Sequence, residues 1–136
     1  MSGEKSTWER PKSLPVPTVW RKYEGLLQMP NGKKPQFIIQ DLNEEYLEEA
    51  IHLMDVGFCK EEAMFAALHV TEDATSMKEL HFLWRQLLKQ NAALVALVDD
   101  GSTHLKVAGV NLTYVCRKQD KCSPDDVSSL TSLSLR

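Results

Sequence analysis

The residues best suited to chemistry gather at one acidic corner. Phe58-Cys59-Lys60-Glu61-Glu62-Ala63-Met64 sets a thiol and two carboxylates side by side behind an amphipathic segment. A carboxylate can take up a proton and a thiolate can attack an electrophile, so residue type alone leaves both roles open. Cys59 has no histidine close in sequence with which to form a dyad, and it reads as a half-buried structural thiol. A glutamate in a Glu-Glu pair is by default a solvated surface group. His52, His69, His81 and His104 form no HxxxH or HExxH pair, so metal ligation is not expected. The cluster Glu44, Glu45, Glu48 and Glu49 could attract a cationic amine, although a solvated helix face is the ordinary reading.

The elements that must position this corner are legible on either side of it. Phe37-Ile38-Ile39 is a short β-favouring run, broken by Asp41-Leu42-Asn43, where two residue types that cap helices occur together. Leu47, Ala50, Ile51, Met54 and Phe58 recur at three- and four-residue steps and form one apolar stripe, with Glu44 and Glu45 at the positive end of the helix dipole. Phe65 to Leu68 extends a helix and Thr71 to Ser76 ends it. A second long helix begins near Ser76, with Met77, Leu80, Trp84, Leu87 and Leu88 facing inward, His81 at the margin and Asn91 as the stop. Ala92 to Val98 is apolar on both faces, as in a covered central strand. Asp99-Asp100-Gly101-Ser102 turns the chain into a return strand from Leu105 to Cys116, in which Ala108, Val110, Leu112, Tyr114 and Cys116 are expected on one face. The expected order is strand, helix, helix, strand, strand.

Length and composition bound the rest. The chain has 136 residues, enough for one domain, with 43% hydrophobic and 26% charged residues. A net charge of −3 argues against general nucleic-acid binding. The three cysteines are odd in number and lack CxxC spacing, so ordinary thiols in a reducing cytoplasm are expected rather than a disulfide framework or zinc site. No apolar leader opens the sequence, and the run Ala92 to Val98 is too short to cross a bilayer, so no membrane association is expected. Residues 1–35 hold five of the six prolines and read as an irregular arm stapled down by Trp8, Trp20 and Tyr23, with a helical turn or two between Val19 and Leu27. No PxxP repeat supports reading that arm as a ligand for a Pro-recognition module.

This order, with WERPKSLPVPTVW, FIIQDL, FCKEEAM, LWRQLLKQ and VAGVNLTYVCRK, resembles the insect-type arylalkylamine N-acetyltransferases of the GNAT superfamily, from about Trp8 to Lys118. The resemblance implies an α+β fold: the N-terminal half of an acyl-CoA N-acyltransferase (GNAT-like) domain, with a three-strand antiparallel sheet and two main helices. Residues 36–118 would form this partial domain and residues 119–136 a Ser-rich disordered tail. It implies transfer of an acetyl group from acetyl-coenzyme A to a small amine. The family's Phe-x-x-Asp-Glu-Pro-Leu segment matches Phe58 to Met64, so Glu62 inherits the part of general base, while Ala63 stands where the family has Pro. An amine attacks a thioester only as the free base, so a proton acceptor is needed. A solvated Glu is a weak base, so burial against groups such as Phe58 and Met64 would have to raise the basicity of Glu62 for efficient work.

The family holds its cofactor with a further strand and a Gln/Arg-x-x-Gly-x-Gly/Ala loop that opens a helix, where backbone N–H groups meet the pyrophosphate. This sequence has no glycine after Gly109, so no cofactor-binding residue is assigned. The expectation is therefore a shortened relative, either an enzyme by ancestry or a catalytically inactive fragment. In it, the strand from residue 105 to 116 is left as an open edge through which copies associate.

Overall fold

The computed structural model describes residues 8–118. Four strands form one antiparallel sheet in the order β1-β2-β3-β4: β1 Val19–Glu24, β2 Gln36–Asp41, β3 Leu94–Asp99 and β4 Lys106–Asn111. Helices α1 Glu44–Leu53, α2 Cys59–Glu61, α3 Ala63–Ala67 and α4 Ala74–Leu88 all lie between β2 and β3.

The sheet has four strands, not three. Val19 to Glu24 is a strand rather than a helical turn, which corrects the reading of that stretch as part of an irregular arm. Val19, Trp20 and Tyr23 are strand-favouring types, but β1 is an edge strand with charged neighbours and carries a bulge at Trp20, so it shows no clean alternation.

The placement of β1 depends on a non-local contact. Asp41, at the end of β2, is buried at 3% side-chain exposure, and Arg10 Nη2 donates to its Oδ2 at 2.7 Å. The Thr18 N–H and Trp20 Nε1 donate to the same carboxylate at 2.8 and 3.0 Å. Arg10 also donates to the carbonyls of Leu14, Pro15 and Asn91. One guanidinium thus ties the N-terminal segment, the sheet and the end of α4 together. Burial alone would raise the Asp41 carboxyl, but hydrogen bonds from Trp20, Thr18 and Arg10 outweigh it and hold the group below the usual carboxylate range. At the other end of β1, a Cβ added at Gly25 would stand 2.7 Å from Pro35 Cγ, so only glycine fits that approach.

The core lies on the helix side of the sheet. Leu42, Tyr46 and Ala50 pack against Ala93, Val95 and Leu97, while Ile51, Cys59 and Trp84 form a second cluster between α1 and α4. β3 is central, as its composition predicts, but one face only is buried: Val95 and Leu97 are closed off, and Leu94, Ala96 and Val98 are half-covered. Asp73 caps α4 by accepting from the Thr75 N–H, and Asn91, in the left-handed region at φ 54°, marks its exit as expected. Asn43 occupies the start of α1 without a side-chain capping bond, and Asp41 is engaged by Arg10 instead.

The return strand is shorter than expected, and its inward set differs. A bulge at Ala108 interrupts the pairing with β3, so Leu105 and Val107 face the core before it and Val110 and Leu112 after it. Ala108, Tyr114 and Cys116 are exposed. Pairing ends at Asn111, opposite the start of β3 at Leu94, and beyond it the Gln90 side chain stands in for a strand neighbour, donating to Val115 C=O at 3.0 Å and accepting its N–H at 2.7 Å. Cys59 is a free, buried thiol, but Cys116 is disulfide-bonded, so the expectation of three plain thiols fails there. CxxC spacing diagnoses metal and redox motifs and is silent about other pairings. Among the described residues no helix is long and apolar enough to cross a membrane. The tail assigned to residues 119–136 lies outside the described residues.

Removing one partner of the buried Arg10–Asp41 pair should cost about 3–5 kcal/mol, so Arg10→Ala should lower the unfolding free energy by that order in a denaturant titration. Because the folded carboxyl of Asp41 is depressed, its contribution is present above the ordinary carboxylate range and is lost as pH falls through the folded value. Melting followed from pH 7 down into acid should therefore fall less steeply in Asp41→Asn than in the unaltered chain.

Candidate functional site

The acidic corner is built by a break in helical phase. α1 ends at Leu53 and runs into a π-helical turn, Met54–Phe58, in which the Cys59 N–H donates to the Met54 carbonyl five residues back. The extra residue rotates the chain beyond it. The stripe expected to end on Phe58 instead ends on Cys59, which is 0% exposed, while Phe58 is 50% exposed and meets Phe65 edge to face at 5.5 Å. This corrects the placement of Phe58 in the core.

Glu62 stands at the joint between α2 and α3. Its backbone is extended at φ −64° and ψ 124°, which stops α2, and its Oε2 accepts the Phe65 N–H at 2.8 Å, which starts α3. The side chain is half-buried, and Phe58, four residues before it, and Met64, two after it, are exposed. The apolar cover that an efficient base would need from those two residues is missing, because the π-helical turn sends Phe58 outward and Met64 is 65% exposed on the short α3. Ala63 occupies the first position of α3, where an N–H has no intrahelical partner and proline is well accommodated.

Two contacts that sequence reading did not identify tie α4 to α1 and to the π-helical turn. His81 Nε2 lies 2.7 Å from Asp55 Oδ1, and the His81 ring stacks on Trp84 at 5.6 Å. Arg85 grips Glu48 through both nitrogens, at 2.8 and 3.1 Å. A signal existed. Glu48 and Asp55 are seven residues apart and His81 and Arg85 four apart, spacings that put both pairs along one helix seam. The expected acidic face of α1 is therefore divided: Glu48 belongs to Arg85, and Glu49 accepts the Val107 N–H at 3.1 Å with His104 Nε2 at 3.3 Å. Glu44 and Glu45 remain exposed in the first turn.

A cleft of about 350 Å³ lined by Trp8, Leu14, Trp20, Asp41 and Leu94 lies at the N-terminal segment and does not include Glu62. Both oxygens of Asp41 already accept hydrogen bonds there, so this carboxylate is structural. Among the described residues no group of three His, Cys, Asp or Glu side chains is arranged to hold a metal ion.

The pyrophosphate of acetyl-coenzyme A asks for a helix start with free N–H groups and no competing anion. α1 opens with Glu44 and Glu45, α3 is capped by Glu62, and α4 is capped by Asp73. Each of these starts carries a carboxylate, so the described helix starts do not fit that cofactor.

No protein-family model matches the chain, and no curated protein does. Among solved structures, the chain is similar to a crystal structure from the yellow fever mosquito of a protein assigned by name as insect arylalkylamine N-acetyltransferase 7, with 28% identity and a TM-score of 0.70. The match covers 85% of this chain and 47% of the mosquito chain, so this chain spans about half the length of that protein. The resemblance read from the sequence is thereby borne out, for part of the fold.

The corner allows a stability test. Glu62 precedes Ala63 with the extended backbone that a following proline requires, so Ala63→Pro should stabilise the chain by about 0.4–1 kcal/mol in thermal or denaturant unfolding. Glu62→Ala should destabilise it by about 1 kcal/mol, through loss of the cap on the Phe65 N–H.

Proposed function

We propose that this chain is the amine-handling part of an arylalkylamine N-acetyltransferase-like fold, with Glu62 as the group that accepts the proton of a small amine. The observation that carries this reading is the position of Glu62. It lies at a helix joint, four residues after Phe58 and two before Met64, both exposed, in a chain similar to the mosquito protein over 85% of its own length. An amine arriving as its cation would be drawn to the carboxylate, and its hydrocarbon part has exposed apolar side chains to rest on. Proton transfer then leaves the nitrogen lone pair free to attack a carbonyl carbon.

Acetyl-coenzyme A is the acetyl donor that the resemblance suggests. The described helix starts do not receive its pyrophosphate, so no step through that cofactor is assigned to residues of this chain.

A second reading is favoured by β4. Its outer side has no strand neighbour among the described residues, and a non-catalytic chain could associate through that edge with another copy. The edge is partly guarded, by the bulge at Ala108 and by Glu49 on the Val107 N–H.

Assays of the purified chain with an arylalkylamine and acetyl-coenzyme A separate the two readings. Under the first, calorimetry detects binding of the arylalkylamine, and Glu62→Gln lowers the rate of its acetylation by about 10²–10⁴-fold. Absence of both heat and product would sink the catalytic reading. Under the second, light scattering shows concentration-dependent dimers, and Glu49→Ala, which frees the Val107 N–H, strengthens association. A monomer at every concentration in both proteins would remove that reading.

A further inference from the structure

The wide turn at Met54–Phe58 needs a cause. The apolar stripe of Leu47, Ala50, Ile51 and Met54 would continue to Phe58 in an unbroken α-helix. Inserting one residue into a turn rotates the next residues by about 100°, and the observed outcome is Phe58 half in solvent with Cys59 wholly buried beside Ile51 and Trp84. The chain has exchanged burial of a phenylalanine for burial of a smaller cysteine. Local apolar packing therefore argues for the regular helix, and another interaction must favour the wide turn.

Asp55 sits within that turn, and its carboxylate meets His81 Nε2 at 2.7 Å from the middle of α4. The His81 ring is in turn stacked on buried Trp84, so its position is set by the core. The same carboxylate also acts on Cys59: burial pushes the thiol up, and the Asp55 charge adds to that effect. Asp55 therefore faces both the anchor on α4 and the residue that the altered phase turns inward.

We propose that Asp55 and His81 are positioning residues whose contact holds the Met54–Phe58 turn in its wide form and so sets the direction in which the Phe58 and Glu62 corner faces. The consequence for proton transfer rests on the proposed role of Glu62, whereas the hold on the turn stands apart from it.

Cys59 reports on the turn. In the wide form it is sealed, and in the regular helical phase Phe58 takes its place and the thiol emerges. Labelling of the folded chain with a maleimide, with the modified peptide identified by mass spectrometry, should compare the unaltered protein with His81→Ala, His81→Gln and Ile51→Val. The last variant lowers stability without touching the pair. The expected result is Cys59 labelling at least tenfold faster in His81→Ala than in Ile51→Val at matched unfolding free energy, with protection retained in His81→Gln, whose amide can still donate to Asp55. Asp55→Ala removes the contact from the other side and must behave as His81→Ala does, and it serves if that variant does not fold. Labelling that tracks unfolding free energy in all variants, or equal lability of His81→Gln and His81→Ala, would overturn the proposal. An inactive Glu62→Gln with Cys59 still sealed would leave the hold on the turn intact and bear on the catalytic reading alone.

Discussion

A single buried ion pair fastens the fourth strand of this sheet to its neighbour. Asp41 ends β2 at a point where its carboxylate cannot reach water, and a buried carboxylate without partners is strongly unfavourable. Arg10, the Thr18 N–H and Trp20 together satisfy it, and all three come from the segment before or within β1. Meeting that charge fastens the start of the edge strand, and the ladder with β2 holds the rest of it. The same guanidinium reaches the Asn91 carbonyl just beyond α4, so the end of the long helix and the start of the sheet share one fastening.

This explains which parts of the fold could be read in advance. β2, α1, α4 and β3 announce themselves through local patterns, since each carries its own periodicity and its own stop. β1 does not. Its residues are compatible with a strand, but the groups that make it one lie nine or more residues earlier, in Arg10, and across the sheet, in Asp41. Likewise, alternation from Leu105 onward predicts a single inward parity, and the bulge at Ala108 reverses it halfway, so Val110 and Leu112 are assigned to the correct side and Ala108 is not.

The candidate site divides in the same way. FCKEEAM marks Glu62 through the resemblance alone, and neither the helix joint at which it stands nor its surroundings could be read from those residues. The π-helical turn is a local defect with no composition of its own, and it moves Phe58 and Cys59 into each other's expected places. Glu48, Glu49 and Asp55 look like one solvated acidic face when read along the helix. In three dimensions each has a different partner, on α4 or near β4, and a helix seen alone cannot reveal them.

The Arg10 fastening also has a mechanical side. Load applied to the N-terminal segment would reach that one guanidinium before it strained any rung between β1 and β2, because Arg10 precedes the strand and holds the sheet directly. At its far end, β1 turns at Gly25 against the Pro35 ring with no room to slide. Force should therefore yield a peeling event with a sharp threshold, rather than gradual slippage of the strand.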